Sequence, residues 1–226
     1  MPVEPGVVTI DGPSGAGKST ISRMLASRLA FTYLDTGAMY RAVGLGLARL
    51  GVDPEDDQAL AAGLEGLRLE LAPAAKADDD VVVRLNGEDI SAAIRTPEMG
   101  LVASKISAYP LVRERLTQLQ RDIAARSRGL VAEGRDMGTV VFPRARYKFY
   151  LDATPAERAR RRCEQLGQRG EKVDEEEILR QIEERDQADS RRALAPLRPA
   201  EDAVIIDSTG LDPQGVVEAM LTTLEH

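Results

Sequence analysis

Residues 12–20 have the composition and spacing of a loop that binds phosphate. The segment reads Gly12-Pro13-Ser14-Gly15-Ala16-Gly17-Lys18-Ser19-Thr20, with a β-branched run at residues 7–10 before it and an amphipathic pattern after it. Glycines allow backbone N–H groups to converge on phosphate oxygens without clashes from side chains. A helix that begins near Gly17 would add its positive end. Together these features predict that the chain binds a nucleoside triphosphate.

Lys18 and Ser19 are the residue types that phosphoryl transfer uses. In a loop of this kind the lysine reaches the β- and γ-phosphates of ATP, and the hydroxyl of the next residue binds Mg²⁺. A glycine-rich turn without a ligand is the alternative, but the strand, the spacing and the helix all favour the phosphate-binding loop. These residues do not say which molecule accepts the γ-phosphate.

A second stretch, residues 133–143, reads EGRDMGTVVFP and follows an apolar run at residues 130–132. Its adjacent cation and anion, Arg135 and Asp136, could neutralise each other at the end of a strand, or each could be presented to a ligand. Arg41 and Arg135 both follow predicted glycine-bearing turns at strand ends, where open parallel sheets bind their ligands. These two arginines are therefore candidates for binding an anion.

Further arginines cluster between residues 158 and 198. A kinase that binds two nucleotides in one site must neutralise many phosphate charges. Arginine is suited to this because it binds phosphate in a bidentate manner. The candidates are Arg158, Arg161 and Arg162 on one predicted helix, with Arg185 and Arg192 beyond the next. The segment 165–173 is predicted to be a mobile lid because it contains Gly167 and Gly170. Surface ion pairs are the favoured interpretation of Arg160, Arg191 and Arg198.

The overall composition excludes several classes of partner. The 226 residues have 30 Lys and Arg against 37 Asp and Glu, a formal net charge of −7, so we expect no nucleic-acid partner. The single cysteine, Cys163, excludes a disulfide within the chain and is typical of a reducing compartment. No secretion signal is visible, and no apolar run approaches the roughly 20 residues that span a bilayer. We therefore expect a protein of a reducing compartment without a membrane partner.

Short apolar runs alternate with helical patterns, which indicates an α/β protein with a parallel sheet between layers of helices. The predicted strands cover residues 7–10, 130–132, 148–151 and 203–206. Helices are predicted to begin near Thr154, Asp174 and Asp212, and Tyr109-Pro110 divides a long helical region into residues 97–108 and 110–126. Residues 67–71 and 81–85, followed by the Asn86-Gly87 turn, predict a small antiparallel insert.

Several classes of function are compatible with a phosphate-binding loop. A guanine-nucleotide switch usually carries Asn-Lys-x-Asp, and the only asparagine here, Asn86, is followed by Gly87. That motif is therefore absent, and a nucleotide kinase becomes the favoured class. Two alternatives stay open: a regulator that hydrolyses ATP slowly and docks a partner through its arginine-rich segment, and a kinase that acts on another small metabolite.

Five segments together resemble the bacterial cytidylate kinases. They are Ile10-Asp11 with the phosphate-binding loop; Leu34-Asp35-Thr36-Gly37-Ala38-Met39-Tyr40-Arg41; the EGRDMGTVVFP stretch; Ile94-Arg95-Thr96 with Ser104; and Arg185-Asp186 through Arg192 to Leu197. The resemblance covers residues 7 to about 224. It implies transfer of the γ-phosphate of ATP to CMP or dCMP with Mg²⁺, by a monomeric cytoplasmic enzyme whose partners are small-molecule nucleotides.

The resemblance also implies a P-loop kinase fold. Its core sheet would have five parallel strands flanked by helices. It would also have a lid segment and a domain that binds the nucleoside monophosphate (the NMP-binding domain), enlarged by a small antiparallel β insert. The whole chain, 1–226, would be one kinase unit. Its core would comprise residues 1–35, 97–156 and 190–226, its NMP-binding region residues 36–96 with the insert at about 66–91, and its lid about 157–189.

The resemblance further implies a role for individual residues. It places Thr36, Arg113, Asp136 and Arg192 around cytosine, Ser104, Arg185 and Asp189 at the pentose, and Arg41 and Arg135 at the acceptor phosphate, with Tyr40 also in the CMP site. Lys18, Arg135, Arg158, Arg161 and Arg162 would act on the transferring group. Ser19 would bind Mg²⁺, with Glu133 contacting the ion directly or through water. Thr36 and Glu133 occupy positions where the family also has serine and aspartate.

Asp136 has a chemical reason to select cytosine. Cytosine carries an exocyclic amine, a donor, where uracil has a carbonyl, and an ionised carboxylate accepts hydrogen bonds but cannot donate them. Asp136 would therefore favour cytosine, while Arg113 would donate to the acceptor edge of the base. Arg135 would then hold the acceptor phosphate, so the two adjacent charges would face different ends of one ligand.

Overall fold

The structure is a computed structural model that describes residues 4–72, 80–168, 170 and 174–224. The chain divides into two compact units: the first contains Met1–Thr32 and Arg128–His226, and the second contains Tyr33–Ser127. This division reports compactness alone. The predicted division by function, into a core, an NMP-binding region and a lid, therefore stays a prediction.

The strands and helices of the described residues are numbered in chain order. The strands are β1 (Glu4–Asp11), β2 (Thr32–Asp35), β3 (Leu69–Ala72), β4 (Val82–Leu85), β5 (Glu88–Asp89), β6 (Leu130–Gly134), β7 (Ala145–Asp152) and β8 (Val204–Asp207). The helices are α1 (Lys18–Leu29), α2 (Thr36–Arg49), α3 (Asp57–Glu65), α4 (Pro97–Ile106), α5 (Pro110–Arg126), α6 (Pro155–Gly167), α7 (Glu175–Ser190) and α8 (Pro213–Leu224).

A parallel sheet with the strand order β2-β6-β1-β7-β8 confirms the predicted five-stranded core. Strand β1 is central, and its residues Val8, Thr9 and Ile10 are buried. This burial is why the strand is a continuous run of β-branched residues rather than an alternation of polar and apolar ones. At the end of β1, Asp11 is paired in register with Gly134 of β6 and Tyr150 of β7. The loops that follow these strands therefore begin side by side.

The helices of the first unit begin where their capping residues predict. The Thr154 hydroxyl accepts the N–H of Glu157 ahead of α6, and the Asp174 carboxylate accepts the N–H of Glu176 ahead of α7. Helix α8 begins at Pro213, directly after Asp212. One placement was wrong: Arg185 lies within α7 rather than beyond it, because that helix continues without a breaker to Ser190.

The second unit contains α2 to α5 and a small antiparallel sheet in the order β3-β4-β5. The sheet pairs Leu69 with Leu85 and turns at Asn86-Gly87, which confirms the predicted insert. Most of its connecting loop, residues 73–79, lies outside the described residues. The break at Tyr109-Pro110 is also confirmed, since α4 ends at Ile106 and α5 begins at Pro110.

Arg41 does not follow a glycine-bearing turn, contrary to the prediction. The Asp35 carboxylate accepts the N–H of Ala38 at 2.8 Å and caps α2, so that Gly37 and Arg41 both lie on this helix. A side-chain cap supplies the hydrogen bond that starts a helix, and here it outweighs the low helix propensity of glycine.

Helix α6 continues to Gly167, and residues 169 and 171–173 of the predicted lid lie outside the described residues. The lid therefore stays a prediction. Within the part of the chain that the structure describes, no helix is both long enough and apolar enough to cross a bilayer.

Candidate active site

The phosphate-binding loop connects β1 directly to α1. Gly12 has φ 146°, and a Cβ atom placed on it would lie 2.0 Å from the carbonyl oxygen of Leu151 on the neighbouring strand β7. Only glycine fits this combination of backbone angle and close approach. At the other end of the loop, Gly17 is the N-cap of α1, so the first amides of that helix are available to an anion.

Lys18 is buried and its Nζ donates to the carbonyl oxygen of Pro13 at 2.6 Å, which folds the side chain back over the loop. Burial, and next the charge of Arg135, lower the pKa of Lys18 well below its usual value, against the opposing charge of Glu133. The loop therefore concentrates positive charge in a desolvated place. An arriving phosphate would relieve the repulsion among these cations.

Ser19 and Glu133 form the oxygen pair that fits a magnesium ion. The Ser19 hydroxyl donates to Glu133 Oε1 at 2.7 Å, and Glu133 is buried at the end of β6. Mg²⁺ prefers oxygen ligands and usually takes one or two from the protein, with the rest from water and substrate phosphates. The Ser19 and Glu133 oxygens would be that share of the ligands. Among the described residues no cluster of three or more His, Cys, Asp or Glu could hold a metal.

The segment after β6 places Arg135 and Asp136 directly beyond the strand, as predicted. Residues Met137–Val141 then form one turn of π-helix, and the Asp136 carbonyl accepts the N–H groups of Val140 and Val141. Asp136 is 4% exposed. A carboxylate so deeply buried requires polar partners, and this is the environment in which a base amine could be recognised.

Asp189 holds two of the predicted site arginines together. Arg135 Nε donates to its Oδ2 at 3.1 Å, and Arg192 Nη2 donates to its Oδ1. Burial alone would raise the pKa of Asp189, but Arg135, Arg192 and Arg185 outweigh it and lower that pKa. The structure therefore brings three arginines with different predicted roles to a single carboxylate: Arg135 for the phosphate, Arg192 for the base and Arg185 for the pentose.

Arg158 is held by protein groups on every side of its guanidinium. Its Nε donates to the Ala153 carbonyl at 2.9 Å, its Nη1 to the Ser14 carbonyl at 3.0 Å, and its Nη2 lies 2.6 Å from Asp186 Oδ2. The side chain is 3% exposed. These contacts fasten α6 and α7 to the phosphate-binding loop, which favours an anchoring role over contact with the transferring phosphate.

The other arginines of α6 and α7 differ in their contacts. Arg161 donates to both the hydroxyl and the carbonyl of Ser208, after β8, and Arg185 Nη1 lies 3.3 Å from the Ser14 hydroxyl of the phosphate-binding loop. Arg162 Nη1 donates to Gln165 on its own helix. The structure thus brings Arg158 and Arg185 to Ser14, whereas the hydrogen bond from Arg162 to Gln165 lies within α6.

In the second unit, Asp35 faces two arginines. Its Oδ2 lies 3.4 Å from Arg41 Nη2 and 3.1 Å from Arg95 Nη1. Within the described part of the chain, buried nitrogens of both guanidinium groups, Arg41 Nε and Arg95 Nη2, have no hydrogen-bond partner. Arg95 Nε also lies 3.5 Å from Asp80 Oδ2, so two carboxylates face the two guanidinium groups. Buried donors without partners are nevertheless costly. This pair is therefore suited to binding an anion.

The remaining predicted residues of the second unit lie on its helices. Thr36 is the buried first residue of α2, and the Arg113 guanidinium of α5 lies 5.9 Å from the centre of the Tyr40 ring. Arg113 Nη1 also donates to the carbonyl of Ser107 at 3.0 Å. Ser104 lies on α4, and its carbonyl accepts the hydroxyl of Ser107. Tyr40 and Arg113 are brought together, one on each of two helices.

Three residues with functional geometry were not assigned a role from the sequence: Asp11, Asp35 and Arg95. The sequence contains a signal for Asp11, which directly follows the predicted strand at residues 7–10. Asp35 is the last residue of β2, a strand that the apolar runs did not predict. Loops at the carboxyl ends of parallel strands form the ligand site, so a carboxylate in that position is a candidate for shaping such a loop. Arg95 has a weaker signal, its place in the Ile94-Arg95-Thr96 segment.

Comparison with known proteins identifies the family. Residues 8–226 match the cytidylate kinase family. The chain is 50% identical to a cytidylate kinase of Vibrio cholerae over 97% of this chain and 96% of that protein, and 48% identical to one of Aliivibrio salmonicida over 100% and 99%. A solved structure of an uncharacterized protein from Eubacterium ventriosum, 12% identical, has a TM-score of 0.50 over 97% of this chain and 98% of that one, which is a likeness of fold alone. The chain therefore belongs to the cytidylate kinase family.

Proposed function

We propose that this protein transfers the γ-phosphate of ATP to CMP or dCMP, producing ADP and CDP or dCDP. An oxygen of the acceptor phosphate forms a bond to the γ-phosphorus, and the bond from that phosphorus to the β–γ bridging oxygen breaks. The observation that carries this proposal is the buried Asp136 at the end of β6, directly beside the phosphate-binding loop at the end of β1.

The donor side relies on charge and positioning. The amides of residues 12–20 and Lys18 would bind the β- and γ-phosphates of ATP, and Ser19 with Glu133 would hold Mg²⁺. That ion supplies neutralisation of the charge that develops on the phosphate oxygens. A dianionic phosphate is already a competent nucleophile, so the reaction needs no general base, and positioning supplies most of the acceleration.

The acceptor side relies on selective hydrogen bonds. Asp136 would accept from the cytosine amine, Arg135 would bind the acceptor phosphate, and Arg185 and Asp189 would contact the pentose, with Arg192 near the base. For the second unit, the family resemblance assigns Arg41 to the phosphate, Thr36 and Arg113 to the base, and Ser104 to the pentose. The buried Arg41 Nε, which has no hydrogen-bond partner among the described residues, supports the first of these assignments.

The physiological setting is also a proposal. A nucleotide kinase works where ATP and nucleoside monophosphates are available, and the single cysteine is typical of a reducing compartment. We therefore expect the protein to act in the cytoplasm as a monomer on free nucleotides.

An assay of ADP release that compares CMP, dCMP, UMP, AMP and GMP as acceptors tests the proposed activity. We expect CMP and dCMP to stimulate ADP release strongly, UMP weakly, and the purine nucleotides least. Stimulation by none of the five would contradict the proposal and would favour a regulator that hydrolyses ATP slowly. Equal stimulation by CMP and UMP would leave a nucleotide kinase but would contradict selection by Asp136.

A further inference from the structure

Asp11 is a buried carboxylate for which the proposed chemistry has no use. It is the last residue of β1, directly before Gly12, and is 3% exposed. Its Oδ1 accepts the N–H of Met137 at 2.9 Å, and its Oδ2 accepts the N–H of Gly138 at 2.8 Å. Each carboxylate oxygen is thus bonded to one of two consecutive amides.

Those two amides begin the π-helical turn that follows Asp136. A π-helix is rare in proteins and occurs mostly as a single turn at a functional site. Here the turn closes on Asp136 itself, since the carbonyl of that residue accepts the N–H groups of Val140 and Val141. The positions of Met137 and Gly138 therefore determine the conformation of the backbone that carries the Asp136 side chain.

The same turn is also held from the side of the sheet. A Cβ atom on Gly138 would lie 3.1 Å from Thr9 Oγ1 and 3.2 Å from Lys148 Cδ, which shows that the turn packs directly on β1 and β7. Contact with the sheet prevents the turn from moving closer to β1 and β7. The two hydrogen bonds to Asp11 prevent it from moving away from them. The segment has little freedom to shift.

We propose that Asp11 is a positioning residue for the selection of the acceptor base: by holding the amides of Met137 and Gly138, it sets the orientation of Asp136. This inference rests on the proposed function, in which Asp136 recognises cytosine. Catalytic geometry is sensitive to small displacements, because an error of about 1 Å can reduce a rate about 100-fold. Loss of the Asp11 bonds should therefore weaken base selection although Asp11 does not touch the substrate.

Asparagine cannot replace aspartate at this position, for a reason that provides a matched control. At Asp11 each oxygen accepts one N–H, so the NH₂ group of an asparagine would face a backbone donor and could not bond to it. Asp56 also accepts two consecutive amides, those of Gln58 and Ala59, but it does so through Oδ1 alone, both at 3.0 Å. Asparagine keeps one carbonyl oxygen, so Asp56→Asn preserves both bonds and Asp11→Asn does not.

The experiment compares kcat/KM for CMP with kcat/KM for UMP in the wild type and four variants: Asp11→Asn, Gly138→Ala, Asp136→Asn and Asp56→Asn. The ratio of the two constants does not depend on the fraction of folded enzyme, so a merely structural role would leave it unchanged. We expect Asp11→Asn to lower the ratio about 10-fold or more, and Gly138→Ala to lower it less, by displacing the same turn from the other side. Asp56→Asn should leave it within about 2-fold.

The outcomes separate this inference from the proposed function. A lowered ratio in Asp136→Asn with an unchanged ratio in Asp11→Asn overturns the positioning role and leaves base recognition by Asp136 in place. An unchanged ratio in both overturns base recognition and the positioning role together. If Asp11→Asn yields no folded protein, Gly138→Ala decides the matter, and an unchanged ratio in that variant overturns the inference.

Discussion

The phosphate-binding loop at residues 12–20 and the segment at residues 135–141 follow adjacent strands of one sheet but obtain their shapes in different ways. The loop is shaped by its own residues, since Gly12, Gly15 and Gly17 have φ angles of 146°, 81° and 90°. The segment is shaped by a residue from elsewhere, since its first amides bond to Asp11, 126 residues before Met137. One shape is encoded locally, and the other depends on the folded sheet.

The loop and the segment should therefore be sensitive to substitutions at different positions. A locally encoded loop fails when its own glycines change, because no other residue type adopts their backbone angles without strain. A segment that depends on a distant carboxylate can keep its own sequence and still be displaced. Donor binding should therefore respond to changes within residues 12–20, and acceptor selection should respond to changes at Asp11 as well as within residues 135–141.

The largest expected effect is that of Gly12→Ala on stability. The new Cβ would lie 2.0 Å from the Leu151 carbonyl oxygen, and φ at this position is 146°. A backbone atom of a central strand cannot move away cheaply, so we expect a loss of more than about 3 kcal/mol in the free energy of unfolding. Denaturation by urea measures it. Gly167→Ala is the control, because a Cβ there meets nothing within 4 Å; equal midpoints for the two variants would contradict the close-approach argument.

A smaller loss of stability is expected for Arg158→Ala, which removes an attachment of the loop to α6 and α7. The variant leaves Asp186 and the Ser14 carbonyl without their partner. Breaking a buried ion pair costs about 3 kcal/mol or more in the free energy of unfolding. Because Asp186 is partly exposed, we expect about 3 kcal/mol or somewhat less for this variant. Arg160→Ala, on the same helix, removes only exposed pairs with Glu157 and Glu164 and should cost at most about 1 kcal/mol. Similar urea midpoints would show that Arg158 does not anchor the loop.

The next prediction concerns the dependence of stability on pH. Burial raises the pKa of Asp11 to about 7, and the charge of Asp136 adds to this, while the amides of Gly138 and Met137 and the charge of Lys18 oppose it. The folded protein thus binds this proton more tightly than the unfolded chain, in which the pKa is near 3.8. The contribution of Asp11 to the free energy of unfolding is therefore highest below pH 4, decreases as the pH rises to about 7, and is constant above that.

Comparison of the wild type with Asp11→Asn isolates this effect, because all other titrating groups are shared. From pH 5 to pH 8 the stability of the wild type relative to the variant should fall by about 3 kcal/mol. Urea denaturation at four pH values across this range measures the difference. A relative stability that stays constant or rises with pH would mean that Asp11 is not a buried carboxylate with a raised pKa.

The contrast between the two regions also explains what the sequence could predict. The phosphate-binding loop, the caps at Thr154 and Asp174 and the turn at Asn86-Gly87 are local patterns, and each was predicted from adjacent residues. Strand β2 was not among the strands read from apolar runs, because only Leu34 and Asp35 of its four residues are buried. The placement of Arg41 failed because Gly37 suggested a turn, whereas the cap at Asp35 starts a helix there.

The pairs and triads of the candidate site could not be predicted, since their members are distant in sequence. Asp189 joins Arg135 and Arg192, and Arg158 joins Ser14 and Asp186, only because α6 and α7 lie against the carboxyl ends of the strands. The residue types were visible in the sequence, and the family resemblance named several of them. The role of Asp11 needed the observed π-helical turn, which no pattern in residues 137–141 indicates.

The selection of cytosine by the carboxylate beyond β6 is tested most directly by the ratio of kcat/KM for CMP to kcat/KM for UMP in Asp136→Asn. We expect the ratio to fall by about 10- to 100-fold relative to the wild type, since one charge-assisted hydrogen bond to the base amine is lost and a donor is presented to the uracil carbonyl. Equal reductions of kcat/KM for the two acceptors would contradict the account, because Asp136 would then support the site without reading the base.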